Sequence, residues 1–549
     1  MDEMDDLLDS LMERKKPENV NYIKTQDDSN LEIRQTATEG QGVFAKKTLP
    51  VDKPICSLDY PIVMAIDAEF LQTTCYHCLI VTSPPLPITS YGHVAADLKT
   101  CNGCLKARFC GRQCQVKSWH AYHKYECKIF KKLRDNLPPA MFRAVLRVVL
   151  LKDRGLISDE YWNQVIALDS HEQILASRGR SNLTDMAESI KHLAKSPLST
   201  TTIQRLIFIM KANATELPTP TYGGIGVMLD PLIGKINHSC QPNMSIHRPQ
   251  HTMTAGWLYS QQIAQAQREA FAQLIPLRQI EEGEEIYNCY IVPTAAVESR
   301  RAKLMEDYFF ECKCRLCTSD SEARKSLAHE KPDVLKQWAQ WVQITMRSLP
   351  SQVKNKPSAL EKGSAAMDKS EKFMEFPILL TSGDYPQIAM RLTLLGLHSH
   401  AFDIALVNML RVHFLVNPYR LVGRHAPTQT YTMFLLLDIF DAILGLSQIP
   451  ATVEVKPQNW LKGLQSRGLE EDDVVIWRYR IQADLEVRLS NSAASDQLEL
   501  LKKRNHEVEQ RAASAKGVSS ARLTSEEHMR LALKLTEAQW RTVLQDTVC

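Results

Sequence analysis

The sequence predicts an α+β multidomain protein, and three observations carry that prediction. Short strand signals and glycine-bearing turns occupy two separated stretches, near Leu31 to Ala45 and Tyr222 to Tyr290. Cysteines crowd residues 75–127, and helical periodicity runs from Ser319 to the end. At 549 residues with 44% apolar content the chain can bury substantial cores, and its length suits about three or four domains. A net charge of +3 is near neutral for this size, so no global polyelectrolyte signature for nucleic acid is present. No uninterrupted apolar stretch approaches the ~20 residues that span a bilayer. The best candidate, Met433 to Leu446, is short and contains Asp438 and Asp441. Met1 to Asp6 has neither the basic start nor the apolar core of a signal peptide, so a reducing compartment, cytoplasm and nucleus, is expected. Metal, not disulfide, is therefore the first reading of the fourteen cysteines.

Residues 1–30 read as a flexible acidic segment in which Met4, Leu7, Leu8 and Leu11 share one helical face. Leu31-Glu32-Ile33-Arg34 is a short strand signal, and Gly40-Gln41-Gly42 follows as a turn whose backbone N–H groups can approach a ligand closely. Alone, that turn reads better as a plain hairpin; its position ahead of the motif at 237–243 reverses the preference.

Between residues 71 and 130, Cys75-x2-Cys78, Cys101-x2-Cys104, Cys110-x3-Cys114 and His123-x3-Cys127 supply four pairs of ligands, the complement of two tetrahedral zinc ions. Each pair places two ligands on one turn, and each ion needs a second pair; spacing alone allows crossed or sequential pairing. Residues 79–100, between Cys78 and Cys101, form an insert with several Pro, Ser and Thr. The stretch is basic, with ten Lys and Arg from Lys99 to Arg134 against the single acid Glu126. Part of this charge offsets zinc-bound thiolates. The remainder suits a peptide-docking face; base reading has no helix carrying the required Arg, Asn or Gln set, which leaves direct nucleic-acid binding to the basic finger alone.

Residues 131–211 read as helices: Met141 to Leu151 after Leu137-Pro138-Pro139, Ser158 to Leu168 with an acidic first turn, and Ile203 to Met210 leading to Asn213. Then comes Asn237-His238-Ser239-Cys240-Gln241-Pro242-Asn243, too polar for a core strand and built on a Pro-fixed turn. Gly283-Glu284-Glu285-Ile286 leads to Tyr290, and Tyr308-Phe309-Phe310 precedes Cys312-x-Cys314-x2-Cys317.

In this order, the Gly-x-Gly turn, the Asn-His-Ser-Cys motif, the Gly-Glu-Glu-Ile segment with its tyrosine and the Cys-x-Cys-x2-Cys run resemble the SET lysine methyltransferases. The cysteine-dense insertion narrows the resemblance to the SET and MYND family. It implies a β-rich SET fold with a pseudoknot, split by a MYND zinc finger and a helical insert and followed by an all-α carboxy-terminal domain. The implied boundaries are 31–70 and 212–311 for the two SET parts, 71–130 for the finger, 131–211 for the insert, 312–318 for a post-SET zinc motif and 319–549 for helices of tetratricopeptide-like type. The cross-braced finger pattern would group Cys75, Cys78, Cys110 and Cys114 at one zinc, and Cys101, Cys104, His123 and Cys127 at the other. Cys312, Cys314 and Cys317 need a fourth ligand, and Cys240 is the available one, giving a third zinc. Gly40, Gly42, Asn213, Asn237, His238, Tyr290 and Phe310 are implied to bind S-adenosylmethionine, although Thr215 stands where the family carries an aromatic residue. Tyr290 and Tyr308 are the implied catalytic pair.

The implied reaction is attack of a neutral lysine amine of a protein substrate, histone or non-histone, on a sulfonium methyl. Free lysine has a pKa near ~10.4, so a narrow aromatic channel that disfavours ammonium is needed, and Tyr308 and Phe310 are candidates for its wall. The alternative is a catalytically inactive SET-MYND interaction scaffold or transcriptional co-regulator. Peptide partners are expected at the finger or the carboxy-terminal helices, with no membrane association. Further expectations are helices at Val334–Met346, Ile388–Leu397, Ile404–Val416, Thr430–Leu446 and Asp496–Ala515, a mobile polar break at Asn355–Lys372, and a surface excursion at Gln250–Ala270.

Overall fold

The computed structural model describes residues 30–36, 40–51, 53–58, 63–82, 97–177, 182–218, 224–247, 271–349, 357–423, 427–446, 457–490 and 519–533. The amino-terminal acidic segment, most of the 79–100 insert, the 250–270 excursion and the helix expected at 496–515 lie outside the described residues.

Twelve strands are described: β1 Leu31–Gln35, β2 Gln41–Ala45, β3 Cys56–Leu58, β4 Val63–Ile66, β5 Lys99–Thr100, β6 Arg108–Phe109, β7 Thr215–Pro218, β8 Gly224–Leu229, β9 Asn237–His238, β10 Met244–His247, β11 Ala272–Pro276 and β12 Glu285–Asn288. They form small sheets, ordered β1-β2-β12-β9, β10-β11-β3, β4-β8-β7 and β5-β6. Strands from before residue 70 pair with strands after 212 in three of them. The two stretches are therefore one folded unit, with the intervening chain inserted into it. β12 is held on both sides, antiparallel to β2 with Ile286 opposite Val43, and parallel to β9 with Tyr287 opposite Asn237 and Asn288 opposite His238. Parallel neighbours require a long connection, which the chain from 239 to 284 supplies.

Helix Ala140–Lys152 packs against β4 and the helix Thr200–Asn213. Its sequence, apolar nearly all round, predicts burial on every face, and eleven of its side chains are buried. Ser158 caps helix Asp159–Ile166 by accepting from the Tyr161 N–H at 3.2 Å, and Ser199 caps Thr200–Asn213 by accepting from Thr202 at 3.0 Å.

A second core spans the carboxy-terminal helices, including Pro332–Ser348, Asp384–His398, Phe402–Arg411, Pro427–Ile443 and Glu471–Ser490. The segment expected as one helix over 404–416 is an α-helix to Arg411 followed by a π-helical turn, Val412–Val416. The break expected at Asn355–Lys372 is instead helix Pro357–Asp368 and a 3₁₀ turn, Lys369–Phe373. Polar composition misleads here because the helix packs through small residues. A Cβ at Gly363 would meet Leu349 Cδ2 at 2.6 Å, and the Trp341 indole N–H donates to the Ala366 carbonyl at 2.8 Å. A third, small core of Cys240, Val297, Leu304, Cys312, Leu316 and Cys317 completes the buried structure.

Candidate functional site

Three groups of side chains each bring four sulfur or imidazole donor atoms within 4.8 Å of one another: Cys75, Cys78, Cys110 and Cys114; Cys101, Cys104, His123 and Cys127; and Cys240, Cys312, Cys314 and Cys317. The finger pairs are thus crossed, not sequential. Sulfur separations include 3.5 Å for Cys78–Cys110, 3.8 Å for Cys101–Cys127 and 3.5 Å for Cys240–Cys317. A tetrahedral ion with zinc–sulfur bonds of ~2.3 Å sets its sulfurs about 3.8 Å apart, so the donor sets fit zinc.

The backbone is shaped for the same purpose. Leu79 and Leu105, one residue beyond the second cysteine of each C-x2-C pair, both take left-handed φ, 59° and 57°. Their N–H groups return to the Cys75 and Cys101 carbonyls at 3.0 and 2.9 Å, folding both pairs into the same knuckle. Within the second knuckle, a Cβ at Gly103 would stand 2.7 Å from Cys127 Sγ.

Outside the ligands lies a network that the sequence reading missed. The Glu126 carboxylate accepts from Arg147 Nε at 2.6 Å and from the Tyr76 hydroxyl at 3.0 Å, and lies 3.9 Å from His123 Nδ1. Burial pushes the Glu126 carboxyl up, but Arg147 and His123 more than offset this and hold it below the usual range. Arg147 belongs to the helical insert, so the finger is locked onto that helix. The available signal was two arginines four residues apart in an apolar helix, together with a lone acid in a basic finger.

The second centre lies where β2, β12 and β9 meet. The Asn237 amide donates to the Gln41 carbonyl at 3.1 Å and to Glu285 Oε1 at 2.8 Å, and the Tyr287 hydroxyl donates to Glu285 Oε2 at 2.7 Å. Gly42 sits directly beneath this carboxylate, where any Cβ would collide with it. Gly40 turns the chain into β2 at φ 77°. His238 Nδ1 accepts the Tyr290 backbone N–H at 3.0 Å, and its Nε2 faces Cys240 Sγ at 3.3 Å. One ring thereby links the strand end, the tyrosine and a metal ligand. Burial pushes the imidazole down to about 4, in keeping with a neutral ring that accepts at Nδ1.

Aromatic rings close the site. Tyr290 lies 4.8 Å from Tyr308 and 5.1 Å from His238, and Phe310 lies 5.9 Å from His238, all between ring centroids. The Tyr290 hydroxyl donates to the Ile236 carbonyl. Burial, with the Asp307 charge adding to it, raises the Tyr308 phenol above its ordinary value, so it is protonated at neutral pH. Phe309, between the two wall residues, takes φ 65° and turns away to meet His171 at 4.9 Å. The Asn213 amide donates to the Asp169 and Ile209 carbonyls at 2.7 and 2.8 Å, tying the end of its helix to the turn after Leu168.

Comparison with known proteins bears on this arrangement. The MYND finger family matches residues 75–127. The SET domain and MYND-type zinc finger protein 6 of Schizosaccharomyces pombe is 24% identical over 290 residues, covering 52% of each chain. The human histone-lysine N-methyltransferase SMYD3 is 29% identical over 41% of this chain and 50% of its own length. The Danio rerio N-lysine methyltransferase SMYD2-A is 25% identical over 41% of this chain and 48% of its own. In these matches the chain spans about half the length of its curated relatives. A SET-domain crystal structure of LSMT with lysine and AdoHcy aligns over 91% of this chain and 95% of its own at 11% identity, with a TM-score of 0.27. The crossed finger clusters, the Asn237–His238 strand beside β12 and a relative named for both modules agree: the chain carries a MYND finger and is similar to the SET and MYND domain proteins.

Proposed function

We propose that this protein transfers methyl groups from S-adenosylmethionine to the lysine side-chain amine of a protein substrate, histone or non-histone. The observation that carries the proposal is the convergence of Asn237, His238 and Tyr290 on the paired ends of β9 and β12, with Tyr308 and Phe310 packed beside them. The residues fit the methyl donor, because the turn from Gly40 to Gly42 carries no side chain at either glycine and runs beside the Asn237 amide, which donates to the Gln41 carbonyl. The bound donor supplies an electrophilic sulfonium methyl.

The chain's own residues do the rest. Gly40 and Gly42 keep the backbone open at the methionine end, and Asn237 and His238 border the adenosyl side. The Ile236 carbonyl fixes the Tyr290 hydroxyl by accepting its hydrogen bond, leaving the oxygen lone pairs to orient the reacting groups. Tyr308 and Phe310 wall the lysine channel, and their apolar faces disfavour the ammonium form, so the amine reacts uncharged. Their π faces tolerate the methylammonium that develops. In this reading residues 31–70 and 212–311 form the catalytic domain and 71–130 a finger for peptide partners. Residues 131–211 are the helical insert, and 312–318 the zinc motif that clamps Tyr308 and Phe310. The helices after 319 offer a further partner surface. The compartments are cytoplasm and nucleus; among the described residues no helix is long and apolar enough to cross a membrane.

The rival reading, an inactive scaffold, draws on the engagement of the Asn237 amide with Gln41 and Glu285. Labelled methyl transfer to a histone and cell-extract panel separates the two. The wild type is expected to label discrete bands, and Tyr290→Phe to lose about 10²-fold or more in rate while still binding the cofactor. A wild type that binds S-adenosylhomocysteine and labels nothing supports the scaffold.

A further inference from the structure

The third metal group lies at the boundary between the two large cores, and a chain of buried charges leads away from it. Arg300, in helix Val297–Asp307, is 1% exposed. Its Nη2 reaches Cys317 Sγ at 3.6 Å and donates to Asp320 Oδ2 at 2.7 Å. Its Nη1 donates to the Ala295 carbonyl at 2.5 Å, in the segment that continues from Tyr290. The same Asp320 oxygen accepts from Arg420 Nη1 at 2.6 Å. Arg420 ends helix Asn417–Arg420 in the carboxy-terminal region, and its Nε and Nη2 donate to the Thr381 carbonyl and hydroxyl at 2.8 and 2.7 Å. Asp320 and Arg420 are 5% and 3% exposed. Close by, the Gly383 N–H donates to the Thr294 carbonyl at 2.7 Å.

An ion held by four thiolates carries a net charge of about −2. Left in a buried setting, that charge needs a cation beside it, and Arg300 is the guanidinium in contact with a ligand sulfur. Arg300 is aligned by Asp320, and Asp320 is held from the other side by Arg420. Each member is buried and shares a hydrogen bond with the next, so removing one strands the others without solvent. The cation that neutralises the metal group is thus held in place by the carboxy-terminal helices.

We propose that Arg300, Asp320 and Arg420 form a relay that couples metal occupancy of the Cys240, Cys312, Cys314 and Cys317 group to docking of the carboxy-terminal helices. Losing the metal loosens the Thr381–Arg420 contact, and losing Arg420 weakens metal retention, because a coupling between two binding equilibria is reciprocal. Arg300 and Asp320 are positioning residues for the metal group. The relay rests on the zinc reading of that group and is independent of methyl transfer.

The test uses the full-length zinc-loaded protein. Chelator is added, and the cysteines freed with time are trapped by N-ethylmaleimide and identified by peptide mass spectrometry, which reads the three groups separately. Arg420→Met, whose link to Cys317 runs through Asp320 and Arg300, is expected to speed labelling of Cys312, Cys314 and Cys317 about tenfold, with Cys75, Cys78, Cys110 and Cys114 unchanged. Arg300→Gln is expected to do the same, and Arg300→Lys to restore most of the retention. In the wild type, stripping this group is expected to raise amide hydrogen exchange at 378–383 and 417–421. Unchanged labelling in Arg420→Met, or unchanged exchange at those segments after the metal has left, overturns the relay. Labelling of Cys240 and Cys317 before any chelator is added overturns the zinc reading and the relay with it. If Arg300→Gln fails to fold, Arg420→Met and the wild-type exchange still decide.

Discussion

Arg147 is sandwiched against Glu126 and Tyr122: its Nε donates to the carboxylate at 2.6 Å, and its guanidinium lies 3.9 Å from the centroid of the tyrosine ring. Both members of the ion pair are 2% exposed, and they come from different parts of the chain. Removing one partner leaves the other charged and buried, at a cost of about 3–5 kcal/mol. Arg147→Met is therefore expected to lower unfolding free energy by about that amount, and Arg147→Met with Glu126→Leu to recover a large part of it. Urea unfolding of the two variants beside the wild type checks this; equal losses in the single and double variant would show that the ion pair does not hold the finger.

Gly42 carries the contact between β2 and the Glu285 carboxylate, which in turn receives the Asn237 amide. An added methyl group pushes that carboxylate aside and frees Asn237 to rotate. Gly42→Ala is expected to weaken binding of S-adenosylhomocysteine by about tenfold or more, with a stability loss of about 1–3 kcal/mol. Titration calorimetry against the wild type measures the first quantity. An unchanged affinity would remove Gly42 from the cofactor site.

Phe309 holds a left-handed backbone, φ 65°, that costs a non-glycine residue about 1–3 kcal/mol, and its ring meets His171 of the helical insert. The turn directs Phe309 to the large core, while its neighbours Tyr308 and Phe310 pack with Tyr290 around the third metal group. Phe309→Gly removes the strain and also the anchor. The fold is expected to keep its stability within about 1 kcal/mol, while kcat for methyl transfer falls about tenfold through a loosened wall. Steady-state kinetics and thermal unfolding on the same preparation test the pair of effects, and a kcat equal to wild type would contradict it.

What the sequence disclosed, and what it hid, follows from the range of the interactions. Ligand spacing is local, so the pairs from Cys75 to Cys127 stood out, while the choice between crossed and sequential pairing depended on the fold. Asn237, His238, Tyr290, Tyr308 and Phe310 announced themselves as polar or aromatic residues in short motifs. Glu285 and Phe309 lie inside the same motifs but act through Gly42 and His171, far away in sequence. Arg300 gave no local sign beyond a charge in an ordinary helix, and Arg147 only the oddity of an arginine in an apolar one, because their partners Glu126 and Asp320 come from other elements. The helix at Pro357–Asp368 was missed for a related reason. Gly363 and Ser364 read as solvent-facing until Leu349, Leu392 and Arg467 are placed against them.

His413 extends the same reasoning to pH. Burial, with the Arg488 charge adding to it, pushes its imidazole down to about 3. Unfolded, the ring titrates near ~6.5. Above that value both states hold it neutral and no stability is lost. As pH falls below it the unfolded chain takes up the proton and the folded chain does not, so stability drops by up to about 1.4 kcal/mol per unit until the folded value is reached. In the π-helical turn beside Phe414, whose ring lies 5.3 Å from Trp477, this site reports on the carboxy-terminal core. His413→Gln is expected to flatten the difference in unfolding free energy between pH 7 and pH 5, measured by urea titration with tryptophan fluorescence. That window lies above the ordinary carboxylate range, so the contrast isolates the imidazole. An identical slope in wild type and variant would mean that His413 reaches a hydrogen-bond acceptor or water that lets its ring take up the proton in the folded state.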